Sequence, residues 1–315
     1  MRTLWFIGGL VLAATARAEL TNGVAGARAL AGTNVVVLDA VEVEFRQLLA
    51  ADGLALAEVE GWGREPGAGG VQLRRRIDER LAEVRRAYEA FLGRHPGHVR
   101  ARVAFGNFLN EGGDEVAAKA EWERARAANP ANAEVWNNLA NFFGHRGPVK
   151  KAFEYYAKAV ELAPREATYY QNYATTVFLF RKDAREHFQQ TDEEVFDRAM
   201  QLYRKALELE PDNYELALDV AQCYYTIRPA RPAEAVVAWN YVLAIAPNVI
   251  QRENAHLHLA RFKMREGLFE EARHHLAVIT NAFNEPVRVR VLRDLEAREK
   301  KAGQTGKGAL PVPVN

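Results

Sequence analysis

Three prolines, Pro96, Pro130 and Pro164, stand 34 residues apart in a chain of 315 residues. Each closes a stretch in which apolar residues recur every three or four positions, the spacing of an amphipathic helix. A fixed period of this length implies a stack of similar units, because one unit alone cannot bury its apolar face and must bury it on a neighbour. Inside the period a glycine, Gly113 or Gly147, breaks the helical pattern, as a tight interhelical turn requires. A second helix follows, with a small residue, Ala118 or Ala152, at the expected helix crossing. Proline then cannot continue the helix, and the residue before it is pushed out of helical dihedrals. Asn132, and later Asp212 with Asn213, offers a side-chain cap to the helix that comes next.

Between Pro130 and Pro164 the order is Trp136, Leu139, Ala140, Phe143, Gly147, Ala152, Tyr156, Ala159. This resembles the tetratricopeptide repeat (TPR) at every signature position. The unit before it keeps Phe105, Gly106, Leu109, Gly113, Ala118, Trp122 and Ala125, with Arg102 where the first aromatic is expected. The resemblance continues less regularly through units 167–211, 214–247 and 253–284, and backwards into a degenerate unit at 72–96 with Ile77–Leu92 as its second helix. It covers residues 72–300. It implies an all-α TPR α-solenoid of antiparallel helix pairs, closed by a capping helix over 286–300 (Val287, Val291, Leu292, Leu295) that keeps the stack soluble. Unit 167–211 is 13 residues longer than the period, and the excess falls within 181–197. It is expected either to extend both helices as a protruding hairpin around Phe188 or to lie as a passive loop. Asp192, Glu193 and Glu194 read as the acidic first turn of a helix.

Outside the array, Arg2 precedes an apolar run from Leu4 to Ala14, followed by Ala16-Arg17-Ala18. This is the pattern of a secretory signal peptide, cleaved after Ala18. The run is too short for a bilayer span of about 20 residues. The chain is therefore expected to be exported, to the periplasm or beyond, with an uncleaved anchor as the alternative. Cleavage removes two arginines and no acid, which takes the formal charge from +1 to −1. Residues 19–70 form an N-terminal segment: 19–34 is Gly-rich, Val35–Glu60 has a helical apolar spacing that Gly53 could divide, and a short strand over Val41–Phe45 is also compatible. Gly61–Gly70 reads as linker. The tail 301–315 has no periodicity and is expected to be disordered.

Nothing in the chain signals catalysis or a cofactor. It contains no phosphate-binding loop, GxSxG elbow, HExxH or paired cysteines. Cys223, the one cysteine, cannot form an internal disulfide and reads as an inert helix residue. His256 and His258, two apart on one helix, point to different sides and cannot share an ion; a site joining His258 to His274 is conceivable. A near-neutral, well-mixed charge argues against nucleic acid as partner. The TPR resemblance implies a protein or peptide partner, held in a concave groove lined by the first helices. There the groove would present Asn107, Asn138, Asn141, Gln171, Asn172, Thr175, Asp219, Gln222, His258 and Arg261. An asparagine amide both donates to and accepts from a peptide backbone. Extra aromatics (Phe142, Tyr155, Tyr169, Tyr225) could form an exposed partner patch. The alternative function is a structural subunit of a cell-envelope complex, docked through its outer surface and the 181–197 insertion.

Overall fold

The structure, a computed structural model, describes residues 39–65 and 69–306. The expected signal peptide, the Gly-rich stretch behind it and the last nine residues of the tail lie outside the described residues. The chain divides after Pro164 into two compact units. The described residues are all-α, with fourteen helices.

The first unit holds α1 (Ala40–Arg64), α2 (Gly70–Arg94), α3 (Val99–Glu111), α4 (Glu115–Ala128), α5 (Ala133–Arg146) and α6 (Val149–Leu162). They pack as three successive pairs. The pairing of α1 with α2 corrects the sequence reading, which left α1 outside the array. Glu44 meets Arg94, Asp52 accepts from Tyr88 at 2.7 Å, Glu58 accepts from Arg80 at 2.6 Å, and Arg76 lies 3.8 Å over Trp62. As one partner number rises the other falls, which is antiparallel register. So α1 is the first helix of the unit whose second helix is α2. It is continuous through Gly53, with no strand over Val41–Phe45, and it runs to Arg64, into the stretch read as linker. Phe45, buried against Phe91, supplies the packing that outweighs the intrinsic cost of glycine in a helix.

Turns and caps follow local chemistry. Gly113 and Gly147, between the helices of their pairs, have φ of 84° and 72°, the left-handed region that favours glycine. Asn132 Oδ1 accepts from the Val135 amide at 3.2 Å, and Asp114 Oδ1 from Ala117 at 3.2 Å. The repeat-closing prolines have a second use. Trp136 Nε1 donates to the Pro130 carbonyl at 2.8 Å. One period earlier Arg102 occupies the tryptophan's position, and its Nη2 and Nε donate to the Pro96 carbonyl at 2.7 and 3.0 Å. Arginine thus replaces the expected aromatic by performing its hydrogen bond, and it adds an ion pair to Glu121 at 2.9 Å.

The second unit holds α7 (Ala167–Leu179), α8 (Arg181–Phe188), α9 (Asp192–Leu209), α10 (Tyr214–Cys223), α11 (Pro232–Ile245), α12 (Val249–Arg265), α13 (Phe269–Ala277) and α14 (Glu285–Gly306). Helix α7 pairs with α9, α10 with α11, and α12 with α13. The 13 extra residues neither lengthen the two helices into a hairpin nor lie as a loop. They make the short helix α8, stopped by Gln189 at φ 54°, and a capping box in which Thr191 and Glu194 each bond the other's backbone amide. Arg198 lies 4.2 Å over the Phe188 ring and ties α8 back to α9. Asn213, not Asp212, caps α10.

Helix α14 covers α12 and α13, burying Val291 and Leu295 in a cluster with Leu257, Met264 and Leu276. It is longer than expected, continuing to Gly306. The turn leading into it is gathered by one carboxylate. Glu253, 4% exposed, accepts from the Thr280 amide at 2.9 Å, Thr280 Oγ1 at 3.1 Å, the Asn281 amide at 3.1 Å and Asn284 Nδ2 at 3.3 Å. Burial raises its proton affinity, but these donors outweigh burial and hold the carboxyl below its usual range.

Two outcomes follow. Glycine at 106 admits the Trp122 ring so closely that a Cβ would lie 2.4 Å from Nε1. Gly106→Ala should cost about 1–3 kcal/mol in urea unfolding; an unchanged midpoint would show that the α3–α4 contact is loose. Glu253→Gln, which replaces an acceptor by a donor facing two amides, should lower amide-exchange protection in α14 more than in α5, by an energy of about 1–3 kcal/mol. Equal loss in both helices would contradict the latch.

Candidate functional site

In each unit the expected groove residues lie on first helices, and several already have partners from the second helices. In the first unit Asn107 Oδ1 accepts from Trp122 Nε1 at 3.1 Å and from Asn138 Nδ2 at 2.8 Å, while its Nδ2 donates to Glu134 at 3.0 Å. One period on, Asn141 Oδ1 accepts from the Tyr156 hydroxyl. In the second unit Thr175 bonds the Tyr203 hydroxyl at 2.9 Å. These are versions of one interaction. A buried aromatic on the second helix carries a polar hydrogen that must be satisfied, and a short polar side chain on the first helix satisfies it.

Asn107, Asn141 and Thr175 therefore serve the interior of their pairs. Asn172 is buried, 8% exposed, so it does not offer its amide to a guest as expected. Its neighbour Gln171 is more accessible and reaches Asp219 at 3.4 Å. Asn138, Gln222 and Arg261 are half-buried, and Asp219 is exposed. Water reaches the Asp219 carboxyl, yet protein surrounds it; the desolvation, opposed by Gln171 and reinforced by Glu215, pushes it up to about 6.

His258 is not a free groove residue. Its ring stacks on Trp239 at 3.9 Å and 7°, and its Nδ1 lies 2.6 Å from the Tyr225 hydroxyl. Burial, then the nearby charge of Arg261, pushes it down to about 3. It has no bond to His274; the histidines that meet across the α12–α13 pair are His256 and His275, with Nδ1 atoms 2.9 Å apart. Their ring centroids are 5.2 Å apart, so the two nitrogens face each other head-on. A metal would need both lone pairs to converge on a point about 2 Å from each, and no group of three metal-ligating side chains occurs among the described residues. Cys223 is buried, and its Sγ contacts the Asp219 carbonyl at 3.3 Å. Burial, followed by the Asp219 charge, pushes the thiol up to about 12, which leaves it without nucleophilic character at neutral pH. Of the extra aromatics, Tyr155 is buried edge-on against Trp136 and Phe143, so it contributes to the interior and not to an exposed patch.

Residues 117–167, from α4 into the start of α7, match the family described as Tetratricopeptide repeat. No curated protein matches the chain by sequence. Among solved structures, PilF of Pseudomonas aeruginosa is similar at 14% identity and a TM-score of 0.50, covering 83% of this chain and 99% of that one. YrrB, described as a TPR protein with an unusual peptide-binding site, is similar at 15% identity and 0.49, covering 68% and 98%. MamA is similar at 17% identity and 0.43, covering 63% and 96%. At such identities the likeness concerns the fold. Residues 117–167 are thus tetratricopeptide repeat, and the helix pairs of the described residues have the fold of such repeats.

The site has a consequence for acid stability. Burial lowers the proton affinity of His98, His145, His256, His258 and His275, the last to about 4. Below about pH 6.5 the unfolded chain therefore binds more protons than the folded one, and stability falls with pH. Asp219 acts in the opposite sense: its folded carboxyl is protonated first, which offsets one histidine below about 6. The urea midpoint should drop steadily from about pH 7 to about pH 4.5. A flat profile would mean that these rings are solvated in the folded protein.

Proposed function

We propose that this protein is an exported, non-catalytic scaffold that holds an extended polypeptide along the concave face of its first helices. The observation that carries the reading is the set of first-helix polar residues that solvent still reaches beside those that serve the interior. Asn138 in the first unit, and Gln171, Asp219, Gln222 and Arg261 in the second, are polar side chains on first helices that solvent reaches. Amide and carboxylate groups at helical spacing suit an extended backbone, which offers an N–H and a C=O at every residue. Chemistry is left out of the proposal because the groups with shifted proton affinities do not form a reactive set. The Cys223 thiol is held protonated and His258 is stacked and neutral. Export is supported by Arg2, the apolar run Leu4–Ala14 and the small residues Ala16 and Ala18. No helix among the described residues is long and apolar enough to cross a membrane.

The full chain, immobilised and panned against a random peptide library, should enrich a family of sequences. Within the second unit, Gln171→Ala combined with Gln222→Ala should weaken the enriched peptides by roughly tenfold, since each lost amide removes one or two hydrogen bonds of about 0.5–1.5 kcal/mol. A library that yields nothing, or peptides indifferent to both substitutions, would reject the groove.

A further inference from the structure

Four arginines in the second unit meet at one short segment and have no carboxylate partner among the described residues. Helix α10 ends at Cys223, and the chain then turns through Tyr225, Thr226 and Ile227 before α11. Arg181, at the start of α8, donates to the Thr226 carbonyl at 3.5 Å. Arg228 donates to the Ile227 carbonyl at 2.6 Å and the Tyr225 carbonyl at 3.4 Å. Arg265, from the last turn of α12, sits 5.0 Å over the Tyr225 ring and 4.9 Å over Phe262. Arg261, one turn earlier, interacts with the Tyr225 hydroxyl. Three separate elements thus deliver four guanidinium groups to three consecutive residues.

Arginines such as Arg46, Arg80, Arg85, Arg102 and Arg231 have a carboxylate within ion-pair distance, whereas others, Arg204 and Arg252 among them, stand singly without one among the described residues; what sets the four apart is that they gather at one segment. None of these four has one among the described residues. Asp219 on α10 makes no ion pair with them, nor does Glu266, next to Arg265 in sequence. Two cations one helical turn apart, as Arg261 and Arg265 are, repel each other. The carbonyls of Tyr225, Thr226 and Ile227, in the turn after α10, compensate Arg181 and Arg228 in part. They use only one or two of the five donors that each guanidinium has. A planar guanidinium with donors to spare pairs with a carboxylate through two parallel bonds.

We infer that this cluster is a binding site for an acidic peptide segment, one with two or more neighbouring Asp or Glu side chains. The inference rests on the reading of the chain as a peptide scaffold but uses different side chains from those that test it. A peptide fits better than nucleic acid for two reasons. The Tyr225 and Phe262 faces under Arg265 are already covered and offer no platform for bases. The chain outside the cluster is of mixed charge, without the basic stripe that tracks a phosphate backbone.

The probe is a fluorescein-labelled decapeptide of alternating glutamate and glycine, followed by anisotropy with the full chain, beside its glutamine counterpart. The glutamate peptide should bind, lose affinity as salt is raised, and outcompete the glutamine peptide. Arg261→Gln with Arg265→Gln should weaken it roughly tenfold. Arg185→Gln, which removes an exposed arginine paired with Asp192, should leave it unchanged. Helical circular dichroism would check that each variant is folded. Three results would each overturn the assignment: equal binding of both peptides, an unaffected double variant, or a DNA decamer that displaces the peptide through the same arginines with higher affinity. Failure of the scaffold reading looks different, because peptide panning would then return nothing, whereas failure of this inference alone would return peptides without acidic bias.

Discussion

Four successive helix pairs, from α3–α4 to α10–α11, are each closed by an aromatic side chain of the second helix, and the constraint on that side chain is its single polar hydrogen. Burying a tryptophan or tyrosine removes much apolar surface from water, but an N–H or O–H buried without an acceptor costs about 1–3 kcal/mol. Asn107 receives Trp122, Asn141 receives Tyr156 and Thr175 receives Tyr203. The fourth aromatic of the series, Trp239, is fully buried, and its Nε1 lacks a partner. It rests instead on the neutral ring of His258, face to face. The position of the first-helix polar residue is thus fixed by the interior, and whatever the first helices offer outward is what remains.

That division explains why the architecture was legible in the sequence and the site was only partly so. The proline period, the glycines at 113 and 147 and the cap at Asn132 act locally, within one turn or one connection, and the sequence shows them directly. The partner of Asn141 lies across a helix pair, and an outward amide and an inward one have the same letter. Asn172 is buried and its neighbour Gln171 is not. Spacing alone cannot decide this, because adjacent residues on a helix differ by about 100° and both fall near the edge of the buried stripe.

Two departures from the repeat pattern were visible as departures, but their form was not. Arg102 breaks the aromatic signature; only the carbonyl of Pro96 shows that a guanidinium can make the bond that an indole makes one period later. The first pair was hidden by composition. Gly53, Gly61 and Gly63 in α1 mark a weak helix, and its existence depends on packing against α2 through Phe45 and the Asp52–Tyr88 bond. The unpaired arginines around Tyr225 were also out of reach, since residues 181, 228, 261 and 265 become neighbours only when three elements have folded.

The carboxylate of Glu253 gives the end of the chain an unusual degree of independence. Four donors of the α13–α14 turn converge on that one group, while Asn284 also donates to the Ile250 carbonyl at 3.0 Å and Arg273 pairs with Glu299 on α14 at 2.7 Å. What it shields is the apolar side of α12 and α13, the surface on which a further repeat would have been laid down. A cap whose entry is gathered at one carboxylate and whose length is held by apolar contact behaves as a stopper. Lifted, it would open that apolar side to water, and seated, it keeps it covered.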